Sequence, residues 1–181
     1  MEYRKTILLK DGRECVLRNG TEEDGEKAAA VFVLTHGQTD NLLTYPDESG
    51  MTAEQEGEFL KSKAENPREV EILAEVGGEI AGIAGISAVG DRAKIRHRVD
   101  FGISVDKAWW GLGIGRALTE ACIECAKKAG YEQIELSVVA ENSRAISMYE
   151  KAGYTEYGRN PRGFKSRLSG YQELVCMRRE L

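Results

Sequence analysis

The chain has 181 residues, of which 41% are hydrophobic and 30% charged, and its formal net charge is −5 at pH 7. This composition is typical of a globular protein with a sizeable core, and the length predicts a single domain over residues 1–181. The negative charge argues against nucleic acid as a partner. Because no apolar run approaches the roughly 18 residues of a membrane span or resembles a signal segment, we expect a cytoplasmic protein.

Turn and capping signals divide the first half of the chain. Asp11-Gly12 is a turn signal within a hairpin or one bent strand, and Gly77-Gly78 marks a second hairpin. Asn66-Pro67 ends a helix, because the residue before proline disfavours the helical conformation. The predicted elements are strands Thr6–Leu9 and Glu14–Arg18, a helix opened by Thr21-x-x-Asp24 and ending near His36-Gly37, a loop Asp40–Gly50, a helix opened by Thr52-x-x-Gln55, and strands Glu69–Val76 and Glu79–Val89.

The second half alternates strands and helices. Its clearest strand is Ile95–Val105, in which apolar and polar side chains alternate. The elements after it are a helix Arg116–Lys128, a strand Gln133–Val139, a helix from Asn142 through Ala152 closed by Gly153, and a final antiparallel pair, Thr155–Phe164 and Tyr171–Met177. A β-α-β unit among hairpins predicts a mixed sheet with helices on both faces.

A glycine-dense turn, Gly111–Gly115 (GLGIG), stands immediately before the third helix. Glycine lets backbone N–H groups approach a ligand closely, and a helix N-terminus attracts anions, so we expect a phosphate or diphosphate here. The turn is neither of the common nucleotide-binding loops. No Lys-Ser or Lys-Thr follows it, and the third small residue of a dinucleotide fingerprint would fall on Arg116 or Leu118. A turn that serves only packing is the alternative.

Two segments together resemble the signatures of the GNAT superfamily of acyl-CoA N-acyltransferases. Val105–Leu118 (VDKAWWGLGIGRAL) is similar to the acyl-CoA loop, Gln/Arg-x-x-Gly-x-Gly/Ala, at the end of that family's fourth strand. Asn142–Tyr154 (NSRAISMYEKAGY) resembles the second signature, N-x-x-A-x-x-x-Y-x-K-x-G-F/Y. A helix and a strand separate the two, as the family requires. One departure is Trp110, which occupies the usual Gln or Arg position, so phosphate binding there depends on the glycine backbone.

This resemblance implies an α/β (α+β mixed) GNAT-like fold, with a central mixed, mostly antiparallel, twisted sheet of six to seven strands and about four flanking helices. It implies an N-acetyltransferase that moves an acetyl group from acetyl-CoA to a primary amine of a small molecule, amino acid, polyamine or peptide by direct attack. Acetyl-CoA is then a cosubstrate, no metal is needed, and a homodimer is expected. The implied acetyl-CoA-binding residues are Ile103, Ser104, Val105, Gly111, Leu112, Gly113, Ile114, Gly115, Arg116, Asn142 and Tyr149.

Two side chains are candidates for proton transfer. Tyr149 matches the family's general acid and could protonate the leaving thiolate, whereas the alternative is a tyrosine packed in the core. Asp100, on the polar side of its strand, resembles the family's general base, and the alternative is a solvated or ion-paired aspartate near Arg98. His97 has a suitable pKa for a base, but its register predicts a packed position. A water molecule as the immediate base, and a non-catalytic acyl-CoA-binding module on the same fold, remain open.

The four cysteines do not alter this interpretation. Cys122 and Cys125 form a C-x-x-C pair, which can indicate a redox or metal site. No second Cys/His pair accompanies them, so we interpret both as small apolar side chains on the buried face of a helix.

Overall fold

The computed structural model describes residues 1–48 and 51–181, so the last two residues of the predicted loop Asp40–Gly50 lie outside it. The chain begins with strands β1 and β2, continues through helices α1 and α2, and then runs through strands with two interspersed helices. The elements are β1 Arg4–Leu8, β2 Glu14–Asn19, α1 Gly25–Gln38, α2 Ala53–Glu65, β3 Val70–Val76, β4 Glu79–Ala88, β5 Arg98–Val105, α3 Ile114–Lys128, β6 Gln133–Val139, α4 Ser143–Lys151, β7 Thr155–Ser166 and β8 Gly170–Glu180.

The strands form one sheet in the order β1-β2-β3-β4-β5-β6-β8-β7. Every neighbouring pair is antiparallel except β5 and β6, which are parallel because α3 connects them as a crossover. The predicted mixed, mostly antiparallel sheet is therefore confirmed. It has eight strands rather than six to seven, because the N-terminal segment forms a true hairpin around Gly12, whose φ is +86°.

The helices cover both faces of the sheet. On one face, α3 buries Leu118, Cys122 and Cys125 in the main core, and the three side chains are at most 2% exposed. Burial also raises the pKa of the Cys122 thiol, which keeps it protonated. On the other face, Val31 of α1 packs on Leu73 of β3. The structure thus agrees with the reading of Cys122 and Cys125 as core residues.

The local start and stop signals work as the sequence predicts. Thr21 donates its backbone N–H to the Asp24 carboxylate at 2.8 Å, and this box opens a short 3-10 turn that leads into α1. Thr52 and Gln55 cap α2 reciprocally. Gly153 follows α4 at φ +86°, as expected for a C′ residue. Within the described ranges, no helix combines the length and apolarity needed to cross a membrane.

The predicted strand Ile95–Val105 begins three residues late. Residues 93–97 form turns instead, in which the N–H groups of Ile95 and Arg96 both donate to the Arg92 carbonyl. Because β4 ends at Ala88, whose partner on β5 is Val99, the residues before Arg98 have no strand beside them. Their apolar-polar alternation is therefore not used by a sheet.

Strands β5 and β6 touch over only a short stretch. Three residue pairs join them, from Arg98 with Gln133 to Asp100 with Glu135. Beyond this point both strands continue, to Val105 and Val139, without pairing to each other. The two parallel strands consequently part at their carboxyl ends and leave a gap in the middle of the sheet.

Candidate active site

A cavity of about 1260 Å³ passes through the gap between β5 and β6. Its wall includes Gly102 and Ser104 from the face of β5 that α1 and α2 cover, and Phe101 and Ile103 from the opposite face. From β6 it includes residues 136–138. Side chains from both faces of both strands line one continuous space, so a ligand can reach through the sheet from one side to the other.

The glycine turn forms one end of this cavity, at the N-terminus of α3. Gly111 and Gly113 have φ values of +87° and +104°, a region that residues with a Cβ rarely adopt. Gly113 is the N-cap of α3, and the space where its Cβ would stand is open to 4 Å. Gly115 serves packing, since its Cβ would lie 3.2 Å from the Met148 sulfur of α4. Free N–H groups at the start of a helix favour an anion.

Tyr149 brings a phenol to the same cavity from α4. Its side chain is 7% exposed, and its ring lies edge-on to Phe101, with centroids 6.2 Å apart. The hydroxyl makes no hydrogen bond to any described residue. Burial raises the pKa of this phenol well above its ordinary value, so the proton stays on the oxygen at neutral pH. The Tyr149 ring is packed against the core while its hydroxyl keeps a proton that no described residue binds. This arrangement suits a proton donor.

Asp100 lies at the point where β5 and β6 begin to part. It faces the cavity, and its neighbours across the strands are Ser87 and Glu135. The surrounding protein and the nearby Glu135 carboxylate raise the pKa of Asp100, which makes it a better proton acceptor than a free aspartate. The alternative ion pair between Asp100 and Arg98 does not form. Arg98 instead holds both oxygens of Glu135.

The comparison with protein families agrees with this geometry. Residues 32–154, which contain both signatures and most of the cavity wall, match the model of the Acetyltransferase (GNAT) family. The chain belongs to the GNAT family.

Similarity to individual proteins extends over most of the fold. The crystal structure of a GNAT-family acetyltransferase from Streptococcus pneumoniae superimposes with a TM-score of 0.87 at 27% identity, over 92% of this chain and 99% of that one. A phosphinothricin acetyltransferase from Sinorhizobium meliloti, solved in complex with AcCoA, gives a TM-score of 0.80 at 17% identity over 92% and 88% of the two chains, and shows the fold alone.

The similarity to a curated relative is more local. The L-amino acid N-acetyltransferase AaaT of Escherichia coli is 35% identical over 92 residues, which are 50% of this chain and 56% of the relative. The chain thus spans about half the length of this relative.

Trp110 occupies the position where the GNAT loop commonly has Gln or Arg, and Arg144 of α4 lies beside it. Its indole N–H donates to the Val105 carbonyl at 2.7 Å, which fixes the ring beside the glycine turn. The Arg144 guanidinium lies 5.1 Å from the centre of this ring, and one of its nitrogens is 3.9 Å from the Cβ position of Gly111. Arg144 therefore places a cation over the GNAT loop from α4. The sequence does not single out Arg144, because its contact with Trp110 depends on how α4 packs beside the glycine turn.

The remaining predicted binding residues line the cavity, with one exception. Asn142 caps α4 by accepting from Ala145 N–H at 3.3 Å and also lines the cavity. Arg116 lines its mouth while pairing with Glu120 at 2.7 Å. Leu112 is outside the cavity wall; its carbonyl accepts from Lys10 N–H in the β1–β2 turn. The residues that do line the wall are Ile103, Ser104, Val105, Gly111, Gly113, Ile114, Gly115, Arg116, Asn142 and Tyr149, together with Asp100.

The two histidines differ in position. His97 precedes β5 and is not part of the cavity wall; its carbonyl accepts from Glu132 and Gln133 N–H. His36 does line the cavity, stacked on Phe32 with ring centroids 3.7 Å apart, and burial lowers its pKa. Geometry therefore favours Asp100 over His97 as the proton acceptor.

Two further carboxylates line the wall that the sequence did not single out, Glu56 of α2 and Glu71 of β3. Glu71 of β3 lines the cavity and makes no side-chain hydrogen bond to a described residue. Its only sequence signal is that it is one of two glutamates, with Glu75, in a mainly apolar strand, VEILAEV.

Proposed function

We propose that this protein is an acetyl-CoA-dependent N-acetyltransferase that transfers the acetyl group directly to a primary amine. The observation that carries the proposal is the parting of β5 from β6 beside the glycine turn, with the Tyr149 hydroxyl in the gap. The turn offers backbone N–H groups to a diphosphate, and Arg144 adds a cation to the same place. The gap then leads the acyl end towards Asp100.

Binding along β5 is expected to use main-chain hydrogen bonds. A strand offers its N–H and C=O groups alternately to its two sides, and past Asp100 the side of β5 that faces β6 has no strand partner. Residues Ile103–Val105 therefore have backbone groups free to bond an extended chain or to stabilise negative charge on a carbonyl oxygen.

Asp100 and Tyr149 carry the proton transfers of the reaction. Asp100, directly or through a water molecule, takes a proton from the ammonium of the acceptor, and the free amine attacks the thioester carbonyl. A C–N bond forms as the C–S bond breaks, and Tyr149 protonates the departing thiolate. The attacking nitrogen loses its second proton as the amide forms, and this proton restores the Tyr149 phenol. The products are an N-acetylated amine and CoA with a free thiol. No cysteine acts as a nucleophile in this scheme, since none of the four belongs to the described wall of the cavity.

A panel of primary amines incubated with acetyl-CoA tests this function, with release of free thiol as the readout. The expected result is amine-dependent thiol release that Asp100→Asn and Tyr149→Phe both lower. Binding of acetyl-CoA with no thiol release from any amine would instead support the alternative, a non-catalytic acyl-CoA-binding module.

We also propose that residues 1–181 form one N-acetyltransferase domain that acts in the cytoplasm as a homodimer. The continuous eight-stranded sheet supports the single domain. Four free cysteines suit a reducing compartment, and the dimer follows from the family resemblance. Light scattering on the purified protein distinguishes a dimer from a monomer of 20.0 kDa.

A further inference from the structure

Charge is unevenly distributed along the cavity wall. The basic side chains come from the β1–β2 turn and from α3 and α4, beside the proposed CoA end; they are Lys10, Arg116, Arg144 and Lys151. The acidic side chains come from α2, β3 and β5; they are Glu56, Glu71 and Asp100. Among the described residues, no lysine or arginine lines this second end. The cavity is thus arranged for an anionic ligand at one end and a cationic ligand at the other.

Glu71 occupies a position that neighbouring glycines make possible. It lies on the face of β3 that also carries Leu73, under α1 and α2. Its partner on β4 is Gly85, and the partner of Gly85 on β5 is Gly102. A Cβ on Gly85 would stand 2.0 Å from one Glu71 carboxylate oxygen and 2.7 Å from its carboxyl carbon. The carboxylate therefore lies across the Gly85 backbone, and the space above Gly102 is open.

The Glu71 carboxylate forms no ion pair with its described charged neighbours. Lys63 of α2 is close enough to influence it, but the Lys63 ammonium is held by Glu69 at 2.6 Å and by the Ser87 hydroxyl at 2.7 Å. Glu56 and Glu69 add negative charge, and α1 contributes His36 to the wall. A carboxylate kept inside a protein without a cation costs free energy, so its presence calls for a ligand that supplies the cation.

Large apolar side chains also line this end of the cavity. Among them are Phe32 of α1, Phe59 of α2 and Ile83 of β4. An acceptor seated here therefore meets apolar side chains close to the negative charge of Glu71 and Asp100. An amine with a carboxylate beside its nitrogen would bring negative charge next to Glu71 and Asp100 and find no described cation to pair with.

We propose that Glu71 is the acceptor-binding residue and that the acceptors are primary amines with an apolar body and no carboxylate next to the nitrogen. The Glu71 carboxylate, lying over Gly85, holds the ammonium while Asp100 accepts the proton that the reaction releases. This inference rests on the proposed function, and it excludes free amino acids as the preferred substrates.

Matched pairs of amines and amino acids test the substrate class. The probes are phenethylamine against L-phenylalanine and isoamylamine against L-leucine, with free thiol as the readout. We expect kcat/KM to be at least about 10-fold higher for each amine, since one uncompensated charge costs well over 1.4 kcal/mol. Preference for the amino acids would overturn this inference and leave the proposed function intact. Absence of turnover with every acceptor would contradict the proposed function itself.

Two variants test whether Glu71 binds the amine. Glu71→Gln keeps the shape of the side chain and removes its charge, and Gly85→Ala keeps the charge but displaces the carboxylate. Both are expected to raise KM for phenethylamine at least about 10-fold while KM for acetyl-CoA stays constant. Glu75→Gln is the control, because Glu75 lies on the same strand but pairs with Arg18 at 2.8 Å, away from the cavity. An unchanged amine KM in Glu71→Gln would refute the assignment.

A pH profile separates binding from a structural role. Burial raises the pKa of Glu71 to about 7, against the opposing effect of Lys63 and with the support of Glu56 and Glu69. Below that pH the carboxylate becomes neutral, so KM for the amine should rise as pH falls from 8 to 6 in the wild type. The Glu71→Gln variant should lose this rise. A rise of equal size in the variant would show that another group binds the ammonium.

Discussion

Tyr149 and Tyr154 are neighbouring buried tyrosines that differ in where their hydroxyls lie. Their ring centroids are 5.8 Å apart, and burial raises the pKa of both phenols. The Tyr149 side chain lines the cavity, whereas the Tyr154 hydroxyl is sealed in the core without a hydrogen-bond partner among the described residues. The pair therefore allows the proton proposed for catalysis to be compared with that of an ordinary core phenol.

Replacing each tyrosine by phenylalanine tests this distinction. We expect Tyr149→Phe to lower kcat by about 100-fold, the lower range for loss of a general acid, with little change in KM for acetyl-CoA. Tyr154→Phe should keep kcat, and its free energy of unfolding should stay equal or rise, because an unsatisfied buried hydroxyl is removed. Steady-state kinetics and urea unfolding measure both. Equal kcat losses in the two variants would mean that the aromatic cluster, rather than the Tyr149 proton, matters.

Arg144 and Arg116 are two arginines at the glycine turn with different partners. Arg144 stacks on Trp110 and has no carboxylate partner among the described residues, whereas Arg116 pairs with Glu120. Arg144 can therefore bind a phosphate without first leaving a carboxylate, whereas Arg116 cannot. Arg144→Met should weaken acetyl-CoA binding about 10-fold, as loss of a charged hydrogen bond does, and Arg116→Met by less than about threefold. Calorimetry with acetyl-CoA measures both, and the reverse order would contradict the role given to Arg144.

At this scale the sequence signatures located Tyr149, Asn142 and the glycines because their spacing is local. Glu71 could not be found that way. Its role depends on Gly85, 14 positions later in the sequence, and on the strand register that brings the two together. A glutamate in a mainly apolar strand carries no information about which residue lies beside it.

Helix α3 ends in glycines of positive φ on both sides, and only one end faces the cavity. Gly113 caps the N-terminus at φ +104°, and Gly130 follows the C-terminus at φ +78°. A Cβ at either position would meet no atom within 4 Å, so alanine brings backbone strain but no clash. Alanine at either position thus introduces similar backbone strain, but only Gly113 lies in the cavity wall.

We expect Gly113→Ala and Gly130→Ala to lower the free energy of unfolding by a similar amount, about 1–2 kcal/mol. Only Gly113→Ala should weaken acetyl-CoA binding, by about 10-fold or more, because its backbone amides contact the anion and its methyl group enters the cavity. Denaturant unfolding and calorimetry give the two quantities. If Gly113→Ala bound acetyl-CoA as well as Gly130→Ala does, the anion site would not lie at this helix end.

The elements themselves were largely predictable, because turn glycines, capping boxes and prolines act over a few residues. The error at the start of β5 has a different origin. The alternation of residues 95–105 is real, but a strand needs a neighbour, and β4 does not extend beside residues 95–97. The parting of β5 from β6 was likewise outside the reach of a local pattern, since it depends on how far two parallel strands stay paired.

At the scale of the whole molecule, the order of the strands determines where the cavity lies. Strands β5 and β6 meet at the middle of the sheet, with β1–β4 on one side and the β7–β8 hairpin on the other. Each half has its own hydrogen-bonded strands, so the gap between them does not cost the sheet its stability. Substrate access and stability are therefore provided by different parts of the same sheet.

A buried ionic cluster joins the first half of the molecule across three elements. Arg18 of β2 holds both oxygens of Asp24 at 2.7 and 2.8 Å and one oxygen of Glu75 on β3 at 2.8 Å. Asp24 is 7% exposed, and the Arg18 guanidinium is the main cause that lowers its pKa to about 2. Because the folded value lies below the unfolded value of about 4, this carboxylate stabilises the fold above pH 4 and ceases to do so as pH falls towards 2.

Replacing Asp24 by asparagine should therefore destabilise the protein in a pH-dependent way. At pH 7 we expect a loss of about 1–2 kcal/mol in the free energy of unfolding, allowing for solvent screening of the pair. The difference from the wild type should shrink as pH falls from 4 to 2. Glu22→Gln is the control, since Glu22 pairs with Lys61 on the surface and its side chain is 58% exposed. Urea unfolding at pH 7 and pH 3 measures both variants. A deficit in Asp24→Asn that stayed constant across this range would show that shape, and not the Arg18–Asp24 charge pair, accounts for the stability.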